Sequence, residues 1–385
     1  MALPNGTNVE VSVAAQPMED DRVDSLLSPW LKTYGFSRLP KLFAALPYMQ
    51  DIVGRYAIVA NELELLTFLH TTFGLTTFRL QFLIVACQHG HLKLVEYLVT
   101  HGIVLNAEAA LDTAATHGHL TVVEYLHSRA DSTATEAAMN GAAENGHIEV
   151  VKFLHERRRE GCTTEAVDEA ASNGHAAVVE FLLDHRREGA SHRGMDCTAR
   201  HGHIHIVQML HLRGYACSTG AMDGAAQYGH LEIVKYLHHT RTEGATKMAM
   251  NLACRNGHLE VVKFLHTHRS EGCTKEAMNW AALGGHFDIV KFLHYNRSEG
   301  CTVQAMTWAA AKGFLSILDF LRNHRSEGCT PLALSYAASN GHEDVVHYLV
   351  ANKVASNLAA AIQQAKAHGY DAIASYLEEI AKESL

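Results

Sequence analysis

The sequence predicts an all-α protein, a helical repeat solenoid of about 11 to 12 units, and three observations carry that reading. A marker glycine recurs from Gly90 to Gly369 in steps of 28 residues, with a single step of 27 between Gly202 and Gly229. The same phrase follows most of these glycines: GHLKLVEYL at 90, GHLTVVEYL at 118, GHIEVVKFL at 146, GHLEIVKYL at 229 and GHLEVVKFL at 257. Between one phrase and the next lies a shorter run rich in alanine, so each unit carries two apolar patterns separated by a glycine.

Residues 1 to 24 hold Pro4, Pro17 and the acidic EDD at 19 to 21, and are expected to form a disordered tail. They have neither the basic start nor the apolar core of a secretory signal. The stretch 25 to 60 has enough Leu, Trp and Phe to fold, and is expected to be a helical cap over the exposed face of the first repeat. The array proper is expected from 61 to 385. It opens on a degenerate copy, since LELLTFLH at 63 to 70 matches LEVVKFLH at 259 to 266 with Glu62 where Gly-His would stand.

The unit beginning at Thr274 shows how each repeat is built. The threonine hydroxyl can accept from the exposed amides of a first helical turn, and Glu276 meets the positive end of the helix dipole. Ala277, Met278, Ala281 and Ala282 make an apolar face of small groups that lets a neighbouring helix come close. Gly284 and Gly285 end the helix, because glycine enters left-handed conformations without steric cost. The second helix follows from His286. Its Phe287, Ile289, Val290, Phe292 and Leu293 cover more than one narrow stripe, which predicts packing on several sides, with Asp288 and Lys291 left outside. Helices of roughly 10 residues are marginal alone, so stability has to come from stacking unit on unit.

Three linkers share almost one text, HRSEGCT at 268 and 324 and NRSEGCT at 296. The arginine and serine are expected to close the second helix, Gly328 to permit the turn and Thr330 to cap the next helix. Arg and Glu are expected to bridge successive linkers as a surface ladder.

TPLALSYAASNGHEDVVHYL at 330 to 349 and ACQHGHLKLVEYLVTHGIVLNA at 86 to 107 resemble ankyrin repeats, whose pattern is Thr-Pro-Leu-His, an Ala-Ala pair, Gly-His and an apolar run ending in Leu. The resemblance covers about residues 50 to 385. The period is 28 rather than about 33 and the opening has become forms such as CTKEAMNWAA, which suggests a curtailed finger between units with the first helix extended backward. This 28-residue form with its EGCT linker is similar to ankyrin arrays common in oomycetes. The resemblance implies that the Gly-His histidine bonds to backbone between repeats. It also implies a protein partner on the concave face, where the positions that vary between units lie.

The variable positions give the candidate site. The residue before the alanine pair drifts from Gly141 and Glu169 to Trp280, Trp308 and Tyr336, and three large aromatics in consecutive units make a candidate stripe, joined by Leu283. A second candidate is the break in rhythm between Gly174 and Gly229, which reads Thr198-Ala199 in place of the alanine pair and GYACST in place of EGCT. Weaker stacking is expected there, presenting Arg200, His201, Tyr228 and Arg255 as an irregular patch.

The remaining chemistries are weak. The formal charge of −9 argues against nucleic acid, and between 150 and 215 nine Lys or Arg meet nine Asp or Glu. No apolar run reaches the roughly 18 residues of a membrane span. Cys162, Cys273, Cys301 and Cys329 recur at the repeat period or its multiples, too far apart for a disulfide or a shared zinc, and read as reduced thiols of a cytoplasmic protein. HEDVVH at 342 places its histidines at i and i+5, off the i and i+4 of a zinc protease helix, and His201, His203 and His205 form the one local histidine cluster outside the repeat rhythm.

The expectation is therefore a monomeric, non-enzymatic interaction scaffold with no cofactor, no metal, no catalytic residue, no nucleic acid and no membrane, binding another protein. Two other readings stay open: a ubiquitin-ligase substrate adaptor, since LPYMQDIVGRY at 46 to 56 resembles the opening of an F-box, and a metal-dependent enzyme. If stacking alone holds the fold, a chelator or a reductant leaves the melting temperature unchanged. A large drop with either would contradict it.

Overall fold

N-capping hydroxyls and glycine turns cut the chain into helices of about nine or ten residues, and a computed structural model describes residues 20–75, 81–103, 107–129, 133–354 and 357–383. The described residues are helical, with no strand, and form twelve consecutive helix pairs from Met49–Val59 with Leu63–Phe73 to Leu358–Ala367 with Asp371–Glu383. The helices Asp20–Tyr34 and Leu39–Ala45 precede the first pair. The expected tail, residues 1–24, lies outside the described residues as far as 19, and residues 20–24 belong to helix Asp20–Tyr34 rather than to a disordered segment. Helix Met49–Val59, placed in the cap by sequence, buries Val53, Ala57 and Ile58 and is paired with Leu63–Phe73.

The chain divides into two compact units, one ending at Thr163 and the other beginning at Thr164. Within each, first helices lie along first helices and second helices meet more sparingly. The core follows the sequence pattern: Ala277, Met278, Ala281 and Ala282 of the first helix are buried with Ile289, Val290 and Leu293 of the second. Asp288 and Lys291 are indeed outside, paired at 3.2 Å.

Two ladders join successive repeats within each unit. In the first, the histidine after the marker glycine reaches back to a carbonyl of the preceding repeat: His119 Nε2 to Gln88 O at 2.9 Å, His230 to Arg200 O at 3.0 Å, His286 to Arg255 O at 3.0 Å. The ring lies directly on the earlier glycine. A Cβ built on Gly257 would stand 2.7 Å from the His286 ring, and Gly257 also has φ 86°, so both the turn and the contact require glycine. Phe314 takes the histidine's place over Gly285 and fills the same space without the hydrogen bond.

The second ladder was not anticipated. One residue before the drifting position, each first helix carries a small polar side chain: Asp112, Asn140, Asp168, Asp196, Asp223, Asn251, Asn279 and Thr307. Each binds the Thr or Ser that opens the following first helix, which is the capping residue everywhere but at Thr330, the partner of Thr307. Thr302 N–H donates to Asn279 Oδ1 at 2.9 Å while Asn279 Nδ2 donates to Thr302 Oγ1 at 3.0 Å, and the same hydroxyl accepts from Gln304 N–H at 3.3 Å. Asp196 receives both the amide and the hydroxyl of Ser218, at 2.8 and 2.5 Å. A buried polar group costs free energy unless it is paired, and here the pairing is what fastens one layer to the next. Ser335 holds the next position in the series, and its buried Oγ has no partner among the described residues.

Four further expectations need correction. The first helix does not extend backward, because Arg297 has extended backbone at φ −129°, ψ 151° and the next helix starts at Val303, directly after its cap. Thr330 does not cap its helix with its side chain; its hydroxyl lies 3.1 Å from that of Thr307 and Pro331 precedes the first helical residue. The arginine and glutamate of a linker pair with each other, as in Arg325–Glu327 at 2.5 Å, rather than across linkers. Both members of such pairs still reach back: the Arg297 guanidinium lies against Gly272 of the preceding linker with its Nη1 3.5 Å from His266 Nδ1, and Cys301 N–H donates to Glu327 Oε1 at 3.4 Å.

The fourth correction concerns the junction at 190–228. Helices His192–His201 and Thr219–Gln227 pack along each other more extensively than any other such pair. Gly220 and Gly224 allow it: a Cβ on Gly224 would lie 3.0 Å from that of Arg200. The Thr198 hydroxyl does not wedge the helices apart, since it is fully buried and donates to Gly194 O at 2.5 Å. The shortened linker does change shape. Its Arg213 pairs with Asp184 at 2.5 Å, and Tyr215 covers Gly189, so an aromatic ring stands where other linkers place an Arg-Glu pair.

Asn279→Ala would strand the Thr302 amide in a site where Asn279 is fully buried, and is expected to cost about 2 kcal/mol in urea unfolding. Asn279→Asp, the residue used at Asp168, Asp196 and Asp223, is expected to cost markedly less. Equal losses would show that the ladder does not carry the effect.

Candidate partner-binding face

The first helix of each repeat buries its alanines and its ladder residue, which leaves one stripe uncovered. In the repeat of Lys275–Gly284 that stripe is Glu276, Trp280, Leu283 and Gly284, spaced i, i+4, i+7 and i+8 on one side of the helix. The caps and ladders hold these helices parallel within the unit, so equivalent positions form a continuous surface. Every residue chosen from the sequence as a site candidate lies on it.

Trp280, Trp308 and Leu283 are half-buried, and Tyr336 is 43% exposed. Tyr228 is 50% exposed, and Arg200, His201 and Arg255 are exposed. The two candidate groups meet: the Arg255 guanidinium carbon stands 5.7 Å from the centroid of the Trp280 ring, a cation–π distance. His201 is drawn aside, its Nδ1 3.0 Å from Ser172 Oγ, and the backbone oxygens of Arg200 and Arg255 are taken by His230 and His286. The side chains of Arg200 and Arg255 remain available.

Sequence reasoning missed Met248, Leu332 and Lys312, which belong to the same stripe as Leu252 of the drifting series; Met248 is 40% and Leu332 50% exposed. The signal was present. Met248 and Leu332 lie four residues before Leu252 and Tyr336, the spacing that puts two side chains on one helical face.

The histidines pack and hydrogen-bond within the repeat pattern. His127, His238, His266 and His294 set their edges against Phe153, Phe264, Phe292 and Phe320 of the next repeat at 5.4 to 5.5 Å between centroids. The His342 Nε2 binds Ala311 O as a member of the first ladder, while His347 packs on Tyr376. Among the described residues no three His, Cys, Asp or Glu side chains gather as a metal would need. All eight cysteines are free thiols, and burial pushes Cys273 and Cys301 up to about 11 and Cys87 to about 12, away from the thiolate form. No described helix is long and apolar enough to cross a membrane. Of the segment resembling an F-box, Leu46 and Tyr48 are exposed in the turn before Met49, but Val53 and Tyr56 are buried with the first helix pair.

Paired helices stacked through capped turns define a helical repeat protein. Family models described as ankyrin repeats match residues 55–136, 195–276, 222–306 and 278–361 in one form and 136–183 in another. The chain belongs to the ankyrin-repeat family. No curated protein matches it.

Elsewhere on the surface, a set of cations is neutralised in register. Lys152, Lys235, Lys263 and Lys291 pair with the acidic residue three positions before them, at 2.7 to 3.2 Å. The linker arginines Arg269, Arg297 and Arg325 pair with Glu271, Glu299 and Glu327. The arginine hydrogen bond, opposed by partial burial, holds these three carboxyls down to about 2 from the usual 4.5. A carboxylate depressed by folding contributes stability that is complete above about pH 4.5 and is lost as the pH falls towards 2. Glu299→Gln is expected to cost about 1 kcal/mol at pH 7, and its gap from wild type to narrow at pH 3, both read by urea unfolding. A gap that is unchanged at pH 3 would contradict the ion-pair reading.

Proposed function

We propose that this chain is a non-enzymatic interaction scaffold that binds another protein on the concave face of its array, through the first-helix stripe centred on Trp280, Leu283, Trp308 and Tyr336. Ankyrin repeats are protein–protein interaction domains, which supplies the class. The observation that carries the particular site is the half-exposure of two tryptophans and a tyrosine in consecutive repeats. Each is held by a first helix whose other sides are buried. Large aromatics fixed by a rigid backbone lose little entropy on binding and are enriched where interfaces gain their energy. Arg200, His201, Tyr228 and Arg255 extend the same face.

The segment 25–60 caps the array, and the array is the recognition element. The scaffold acts as a monomer and uses no cofactor. Eight free thiols fit a reducing compartment such as the cytoplasm. Affinity capture with the full chain, quantified by mass spectrometry, tests the site. Trp308→Ala, with helicity checked by circular dichroism, is expected to reduce capture of a direct partner by about thirtyfold in affinity, the worth of about 2 kcal/mol. Undiminished capture by Trp280→Ala, Trp308→Ala and Tyr336→Ala alike would overturn the assignment.

A further inference from the structure

The charges on the first-helix stripe between His192 and Asn340 are nearly all positive. On second helices and linkers many cations have a carboxylate built beside them, three positions away on a helix or two away in a linker, while others such as Arg129, Arg187 and Arg322 have none within ion-pair distance among the described residues. On the first-helix stripe between His192 and Asn340, Arg200, Arg255 and Lys312 are exposed and have no carboxylate within ion-pair distance among the described residues. Glu276 is the one acidic residue of that stretch of the stripe, and it is half-buried. A chain with a formal charge of −9 thus presents, on this stretch, exposed aromatics flanked by unpaired cations. Unpaired cations on such a face are complementary to acid on a partner.

Resting on the site proposed above, we propose that the occupant is an acidic segment of a partner protein in which carboxylates alternate with apolar side chains. The carboxylates meet Arg200, Arg255 and Lys312, and the apolar groups lie on Trp280, Leu283, Trp308 and Tyr336. Arg255 and Lys312 stand two repeats apart, about 16 to 20 Å at 8 to 10 Å per layer. An extended chain rising about 3.3 Å per residue covers that distance in five or six residues. A segment of about twelve residues therefore spans the face from Arg200 to Lys312.

A library of random 12-residue peptides displayed on phage, selected on the full chain, tests the idea without a known partner. Clones are expected to be enriched in Asp and Glu together with Leu, Phe or Trp. The best synthetic peptide is expected to bind at least tenfold more weakly to the double variant Arg255→Glu, Lys312→Glu. Binding to wild type is expected to weaken as sodium chloride rises from 50 to 500 mM, and the charge-reversed variant to select lysine-bearing peptides instead. Enrichment without acidic residues, or binding indifferent to the double variant, overturns the acidic occupant and leaves the site standing. No enrichment over the Trp280→Ala, Trp308→Ala, Tyr336→Ala triple variant overturns the site itself. Polyuridylic RNA that binds with a salt dependence steeper than the peptide's, and displaces it, would make the ligand a nucleic acid and overturn the proposal.

Discussion

The contact on which the structure depends is the seating of one repeat's histidine ring on the glycine of the repeat before it. At Gly202 and Gly257 alike, a methyl group would come within 2.7 Å of the next imidazole, so the two layers touch at a distance only a missing side chain allows. The same glycines have positive φ, which reverses the chain between the helices of a pair. One residue thereby sets both the fold of its own repeat and the approach of the next. Where the histidine becomes Phe314 the hydrogen bond disappears and the seating remains, which shows that close packing is the general element of the contact and the imidazole bond an addition to it.

The polar ladder and the linker pairs act at the other end of the first helices. Asn or Asp in the middle of a helix, buried, would ordinarily be a liability. Here each is matched to a cap that itself needs an acceptor or a donor, so one hydrogen-bonded set closes a helix and joins two repeats. The linker glutamates add a bond to the preceding linker's backbone, Ala245 N–H to Glu271 at 3.3 Å and Cys301 N–H to Glu327 at 3.4 Å. With both ends fixed, the first helix has no freedom to turn its stripe. A recognition surface made of such stripes is preorganised, and its side chains rather than its backbone vary from unit to unit.

The shortened repeat shows how an irregularity is absorbed. Losing a residue and the alanine pair removes two standard features, yet Gly194, Gly220 and Gly224 permit the helices to approach more closely and Tyr215 covers the neighbouring linker in place of the ion pair. Thr198 satisfies its hydroxyl within its own helix, on the carbonyl four residues back. Small residues elsewhere in the helix offset the bulk added at one position.

The period of 28, the two helices per unit, the buried alanines and the seating of the aromatics on one face were all legible in the sequence, because each recurs at a spacing that only one local geometry satisfies. Trp280, Trp308 and Tyr336 could be aligned by counting alone. The ladder from Asp112 to Thr307 was equally periodic, but its meaning lay in a partner 23 residues away, and Asp, Asn and Thr in a helix read locally as weak helix formers. The same limit applied to the linkers, where the text HRSEGCT could not say whether arginine would turn to its own glutamate or to another. It also applied to Thr198, whose hydroxyl finds an acceptor that no spacing rule requires. Sequence by itself determined which residues face inward, since that follows from helical periodicity. Only the tertiary structure decided which cations remain unpaired on the face with Arg255 and Trp280, because that depends on distances between layers that repeat spacing does not contain.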